Sequence, residues 1–262
     1  MKRWSMICAL VLLAVLVASS AAAEDCSTTC EWGYGPENGP HRWADLCCPV
    51  CDGENQSPID IVTQRARKEP ADSDTGVALN YGTTHLELAN DGRSIRATDE
   101  LSQGENTIEI GGRIYPLTEF HFHSLSEHTL DGRHAPLEMH LEHARTSYDV
   151  VTLAVLIEEG EENEAFAPIW NSLPVDATVE PRTVIVNPRK LMPKNRRGYY
   201  LYQGSESSPS CAEIVTWYVF DEAVEMSVEQ IEAFRAIHES NYRPVRPQGT
   251  RVVYKSMVTE GS

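Results

Sequence analysis

The residues best suited to chemistry are His121, His123 and His140, carried by two short stretches, Glu119-Phe-His-Phe-His-Ser-Leu-Ser-Glu-His-Thr129 and Pro136-Leu-Glu-Met-His-Leu-Glu-His143. Successive side chains of an extended strand point to opposite faces. Glu119, His121 and His123 therefore share one face, with Phe120 and Phe122 on the other; Glu138, His140 and Glu142 likewise oppose Met139 and Leu141. Asp131-Gly132 between the stretches is a turn signal, which predicts that they fold into an antiparallel pair. The imidazoles then converge. Neutral imidazole nitrogen suits zinc, which in catalytic sites takes three protein ligands and keeps one position for solvent. The interleaved carboxylates fit as well, because a metal-bound histidine usually gives its other N–H to a carboxylate or carbonyl. A half-buried sheet with a wet polar face would account for any one of these histidines, but not for their common phase.

The elements that hold such a site must come from a chain of 262 residues, 41% of them hydrophobic, enough for one substantial core. Met1-Lys-Arg, the apolar run from Ile7 to Ala18 and the small residues that follow have the layout of a secretory signal peptide, residues 1–23. That run is shorter than the roughly 20 residues a bilayer span needs. Residues 24–262 are expected to form a single exported domain without a membrane anchor. Without Cys8, six cysteines remain: Cys26, Cys30, Cys47, Cys48, Cys51 and Cys211. An even set in an oxidising compartment implies disulfides of open connectivity; a zinc knuckle among the first five is the alternative. The formal charge of -17 argues against nucleic acid as a partner and is explained by solubility in an exported protein, the alternative being a cation- or mineral-binding surface.

Strand patterns recur along the chain. Thr84–Ala89 alternates, Asn90-Asp-Gly92 turns, and Ser94-Ile-Arg continues; Thr107–Ile110 ends at Gly111-Gly112. Val150–Ile157 is apolar throughout and rich in β-branched residues, the pattern of a strand covered on both faces near a sheet centre. Thr183–Val186 and Ile214–Phe220 are further strands. Ser227-Val-Glu-Gln230 resembles a capping box, with Val228, Ile231, Phe234 and Ile237 at helical spacing.

From about Trp32 to Tyr254 the chain resembles the α-class carbonic anhydrases. The resemblance is carried by Trp32-Gly-Tyr34, Gln56-Ser-Pro-Ile-Asp-Ile61, Phe120-His-Phe-His123, Ser126-Glu-His-Thr129, Leu137-Glu-Met-His-Leu141, Gly204-Ser-x-Ser-Ser-Pro209, Val215-Thr-Trp217 and Asn241-Tyr-Arg-Pro244. It implies a mainly β fold with small peripheral helices around a large, twisted, mostly antiparallel central sheet of about ten strands. It also implies CO2 hydration by zinc-hydroxide attack, with His121, His123 and His140 as zinc ligands. Glu138 resembles the acceptor for His140, Glu127 the residue that orients a catalytic hydroxyl, and Ser207 that hydroxyl, where most relatives carry Thr. His128, Tyr202 and Asn241 match buried supports, and Cys51 and Cys211 match a disulfide of exported members.

Several positions depart from the family pattern. Arg93 stands at the proton-shuttle position, and an arginine cannot relay protons near neutral pH, so turnover is expected to be buffer-limited. Glu119 replaces a Gln beside His121, which makes that ligand more electron-rich. The substrate pocket keeps Val155, Val215, Trp217 and Ser208, but Glu142 and Glu206 fall where the family places Val and Leu, and Ser124 replaces a Trp. The carboxylates are expected to wet the pocket and weaken CO2 hydration. The alternative function is an exported acidic binding or matrix protein with a weakened or vestigial site. A cupin, whose ligand set His121-x-His123-x3-Glu127 half matches, is the other rival.

Overall fold

A stretch as apolar as Val150–Ile157 can cover both its faces only inside a sheet. In the computed structural model it forms the body of the strand Asp149–Glu159, with residues 151–157 buried. The structure describes residues 30–46, 48–70, 73–99 and 104–256. The segment read as a signal peptide, Cys26 and Cys47 lie outside the described residues.

The principal sheet has 13 strands, ten of which follow one continuous path. In chain order these are β1 (Arg67–Lys68), β2 (Thr84–Asn90), β3 (Ile95–Thr98), β4 (Arg113–His123), β5 (Leu137–Thr146), β6 (Asp149–Glu159), β7 (Arg182–Val186), β8 (Tyr199–Gly204), β9 (Val215–Phe220) and β10 (Tyr254–Lys255). Across the sheet they are ordered β7-β2-β3-β4-β5-β6-β9-β8-β10-β1. Most neighbours are antiparallel, as the family resemblance implies. The exceptions along the path are β6 with β9 and β10 with β1, which are parallel.

β4 and β5 form the expected antiparallel pair, with His121 opposite His140 and His123 opposite Glu138. The Asp131-Gly132 turn does not join them. It closes a separate small hairpin between Thr129–Leu130 and Arg133–His134, both turn residues having positive φ, 50° and 78°. That hairpin and Asp60–Ile61 make a second, three-stranded sheet. A turn signal specifies a bend, not which strands flank it, and the sequence expectation attached this one to the wrong pair.

The inner faces of β4 and β5 anchor the histidines. Phe120, Phe122, Met139 and Leu141 are fully buried in the main core with Leu153, Val155, Ile231 and Phe234, each contributing roughly 1.5–3 kcal/mol of burial. Ile231 and Phe234 come from the helix Val228–Arg235, whose Ser227–Gln230 capping box is formed on both sides. That helix stops before Ile237. On the opposite face a smaller cluster gathers Ile59, Ile61, Ala154, Tyr202, Val215 and Trp217. A third, of Trp32, Trp43 and cysteines, plugs one end of the body, and Cys51 is disulfide-bonded to Cys211 across 160 residues. Cys30 and Cys48 are also disulfide-bonded, which leaves them no thiolate for a zinc knuckle. No helix among the described residues is long and apolar enough to cross a membrane.

Candidate functional site

The alternation of β4 and β5 brings His121, His123 and His140 onto one face, each with a ligand-capable nitrogen within 4.8 Å of the others. Their ring centroids lie 4.6–5.2 Å apart. One nitrogen of each ring is committed to a pure acceptor. His121 Nδ1 donates to Glu119 Oε1 at 3.0 Å, His123 Nδ1 to the Asn241 carbonyl at 2.7 Å, and His140 Nε2 to Glu138 Oε1 at 2.8 Å. These bonds fix the tautomers and leave the lone pairs of His121 Nε2, His123 Nε2 and His140 Nδ1 free. His123 Nε2 is buried without any hydrogen-bond partner, an arrangement that costs free energy unless something else occupies it. Burial holds all three rings neutral, lowering His121 to about 4, His123 to about 3, and His140 as well. Neutral rings with inward lone pairs fit a divalent metal ion of nitrogen preference.

Behind the triad the polar groups continue in two directions. Burial alone would raise Glu138, but the charges and hydrogen bonds of His128 and His140 leave it well below the usual carboxylate range. It accepts from the His128 backbone and ring at 2.8 and 2.7 Å. His128 Nε2 then meets Tyr202 Oη at 2.7 Å, which bonds to Ser57 Oγ at 2.9 Å. On the other side burial would again raise Glu119, yet the bonds and charges of His121 and Arg96 lower it to about 2. Asn241 fixes the loop after β4, its side chain accepting from Ser124 N at 2.8 Å and donating to Phe122 O at 3.0 Å. Glu127 is fully buried; Oε1 accepts from Arg243 N at 2.7 Å, while Oε2 lacks a formed hydrogen bond. Burial pushes its carboxyl up to about 7, with His140 and the nearby Ser207 hydroxyl pulling the other way. Glu127 thus commits one oxygen to the Arg243 backbone and does not join the ligand atoms that converge at His121, His123 and His140, unlike a cupin's metal-ligating carboxylate.

The family model described as eukaryotic-type carbonic anhydrase matches residues 38–257. The chain belongs to the α-carbonic anhydrase family. It is 36% identical over 247 residues to a carbonic anhydrase of Neisseria gonorrhoeae, covering 93% of this chain and 94% of the relative. Among solved structures it is similar to the α-carbonic anhydrase of Thermovibrio ammonificans in complex with the inhibitor sulfanilamide, with a TM-score of 0.80, 37% identity, and coverage of 86% and 99% of the two chains. A hyperthermostable carbonic anhydrase from a hydrothermal vent chimney superposes with a TM-score of 0.79 at 33% identity, covering 87% of this chain and 100% of the other.

Two departures from the carbonic anhydrase pattern, Glu142 and Glu206, lie within electrostatic reach of each other, and Glu142 also of Glu119. Val215 and Trp217 lie on the histidine side of β9, the Trp217 ring 4.8 Å from that of His140. Val155 does not join them. It stands opposite Met139 and packs in the main core, while its neighbour Ala154 faces His140's side. Glu142 is partly buried with its carboxylate near Glu119 and His121, and burial together with Glu119 raises it to about 8. Glu206 is also partly buried and accepts from Ser210 Oγ at 2.6 Å; its charge reaches Glu142. Ser208 lies in the turn that follows, its carbonyl accepting from Cys211 N at 2.7 Å. Arg93 is engaged by Trp32, its guanidinium 4.3 Å from the Trp32 ring centroid and its Nε donating to the Trp32 carbonyl at 3.0 Å.

Five neighbours of the site are assigned no part in its chemistry by the sequence reading: Asp91 and Arg96, and Tyr34, Ser57 and Arg243, which enter it only as members of motifs. Arg96 stands directly opposite His121 in β3, and Arg243 donates to Gln56 Oε1, Ser57 O and Cys51 O. Tyr34 is raised by burial and by the charge of Glu127. The sequence signal for Arg96 is its phase opposite Ile95, which becomes informative only once β3 is known to flank β4.

Proposed function

We propose that the chain is an exported, single-domain zinc enzyme that reversibly hydrates carbon dioxide to bicarbonate and a proton. The observation that carries this reading is the buried triad, with outer nitrogens committed to fixed acceptors and His123 Nε2 left without a partner. Zinc, when bound, supplies the Lewis acidity that makes hydroxide from water near neutral pH, a chemistry for which carbonic anhydrases are the reference case.

The chain's own groups do the rest. Glu119, Glu138 and the Asn241 carbonyl hold the three rings in the tautomer that ligates. Glu127, fixed through Oε1 by Arg243 N, accepts a hydrogen bond from the Ser207 hydroxyl when ionised. Ser207 then has only lone pairs left for the reacting side, so it accepts a hydrogen from the incoming nucleophile and orients it. Val215 and Trp217 supply an apolar wall for CO2. Glu142 and Glu206 oppose it with carboxylates, which wet the pocket and repel the bicarbonate product. Arg93 relays no proton, so the proton leaves through buffer and turnover is reduced.

The disulfides and the charged, apolar opening of the sequence support export. A second reading, an acidic binding protein with a weakened site, is favoured by Glu142 and Glu206 alone. Metal analysis of the purified protein together with stopped-flow CO2 hydration separates the two. The enzyme should carry one zinc per triad, hydrate CO2 above the buffer rate and be inhibited by sulfanilamide. Ser207→Ala should keep its zinc and lose roughly 100-fold in kcat/KM. Zinc-loaded protein that hydrates CO2 no faster than buffer would overturn the enzymatic reading.

A further inference from the structure

Antiparallel pairing of β3 with β4 sets Arg96 directly across from His121. The Arg96 Nη1 bonds to Glu119 Oε1, the same oxygen that accepts from His121 Nδ1 at 3.0 Å. Arg96 Nε in turn donates to Asp91 Oδ2 at 3.0 Å. Asp91 is itself held in place, its Oδ1 accepting from Arg93 N and Ser94 N, each at 2.8 Å. The side chains of Arg96 and Glu119 are 27% and 16% exposed, so solvent screens the pair only in part. The other charged groups facing this corner are Glu142 on β5 and Glu206 beyond it.

A carboxylate that accepts an imidazole N–H draws the proton toward itself and leaves the far nitrogen a stronger donor. A guanidinium on the same oxygen pulls in the opposite sense. We infer that Arg96 is a positioning residue for His121: it fixes the Glu119 carboxylate and limits how strongly His121 donates to the metal. The inference rests on the metal reading above. It also separates two effects of having Glu at position 119, because the extra charge is placed beside His121 and countered on the same atom.

The test is a two-residue cycle read on zinc affinity, by chelator competition, and on the pH profile of kcat/KM for CO2 hydration. In Arg96→Gln the carboxylate keeps His121 and loses its counter-charge. Zinc should then bind several-fold more tightly, and the inflection of the profile should rise by about half to one pH unit. Arg96→Lys, which keeps the charge, should retain most of the wild-type behaviour in both measurements. Glu119→Gln alone should weaken zinc roughly 10- to 100-fold, and adding Arg96→Gln to it should change neither readout further. Weaker zinc binding in Arg96→Gln would overturn the inference, as would equal shifts in both backgrounds, which would mean that the guanidinium acts on the metal directly through space. A protein that follows the zinc cycle but hydrates no CO2 would sink the proposed activity and leave this inference standing. One that binds no zinc overturns both.

Discussion

Glu142 and Glu206 decide how well the open side of the triad can hold an apolar gas. Glu142 extends from the same strand face as His140, and its carboxyl, pushed up to about 8 by burial and by Glu119, spends neutral pH largely protonated in the metal-free protein. A divalent ion at the histidines would favour its ionised form. On the proposed function it offers polar atoms, in either form, where CO2 would need van der Waals contact. Glu206 is tethered through its carboxylate to Ser210, so it is not free to swing to bulk solvent without breaking that bond. Glu206→Leu and Glu142→Val should therefore each raise kcat/KM for CO2 hydration, by roughly three- to tenfold, the equivalent of about 1 kcal/mol for removing a poorly placed polar group. Stopped-flow rates on the zinc-loaded variants check this, and unchanged rates in both would show that the carboxylates do not touch the path of CO2. The triad itself was legible from residue types and spacing, because period-two alternation is a local property. Arg96, Asp91 and Arg243 were not, because each acts on the site from another segment of the chain.

At the scale of elements, the same distinction runs through the fold. The central position of Val150–Ile157 and the helix start at Ser227 could be read directly, since an apolar run and a capping box carry their own physical reasons. The strand Tyr199–Gly204 was missed, and with it the frame that sets Tyr202 against Trp217. Lateral order, the parallel pairings and the partners of the Asp131-Gly132 turn are decided by packing between distant segments, which no local pattern records. The Cys51–Cys211 bridge joins two such segments: the loop after β8 that carries Ser207, and the segment whose Cys51 carbonyl accepts from Arg243 at 2.7 Å. Since the Arg243 backbone also holds Glu127, the bridge and the Glu127–Ser207 pair share one support. Cys51→Ser with Cys211→Ser should cost about 2–5 kcal/mol, lowering the melting temperature by roughly 5–15 °C for a chain of this size. CO2 hydration should fall at temperatures where circular dichroism still reports the folded sheet. A variant that melts lower but keeps full activity up to its transition would mean that the loop holds Ser207 without the bridge.

For the whole molecule the governing quantity is charge, both the formal -17 of the chain and the few ionisable groups buried in it. Buried His143, its Nε2 bonded to Tyr81 Oη at 2.5 Å, is lowered by burial to about 3, and His121 and His123 are lowered similarly. The unfolded chain binds protons at these rings below about pH 6.5 while the folded chain does not, so stability is lost as pH falls from there toward 3. Glu119, lowered to about 2, extends that loss on the acid side. Glu127 and Glu142 act in the opposite sense. Raised to about 7 and 8, they keep protons that the unfolded chain has released, and the stability this represents drains away as pH rises from about 4.5 through those values. The two sets oppose each other between about 4.5 and 6.5; above that only the carboxyls act. Metal-free protein should thus melt highest in that window and decline toward pH 8, each carboxyl contributing at most about 1.4 kcal/mol per pH unit, or a few degrees. General repulsion among surface carboxylates adds a slope of the same sign, and salt screens it. Melting curves from pH 4 to 9 in high salt should therefore retain a fall on the alkaline side that Glu142→Gln reduces and added zinc abolishes, because a cation at the triad removes the reason for those carboxyls to stay protonated. A wild-type protein and Glu142→Gln with parallel alkaline limbs would place Glu142 outside the buried charge balance of the site.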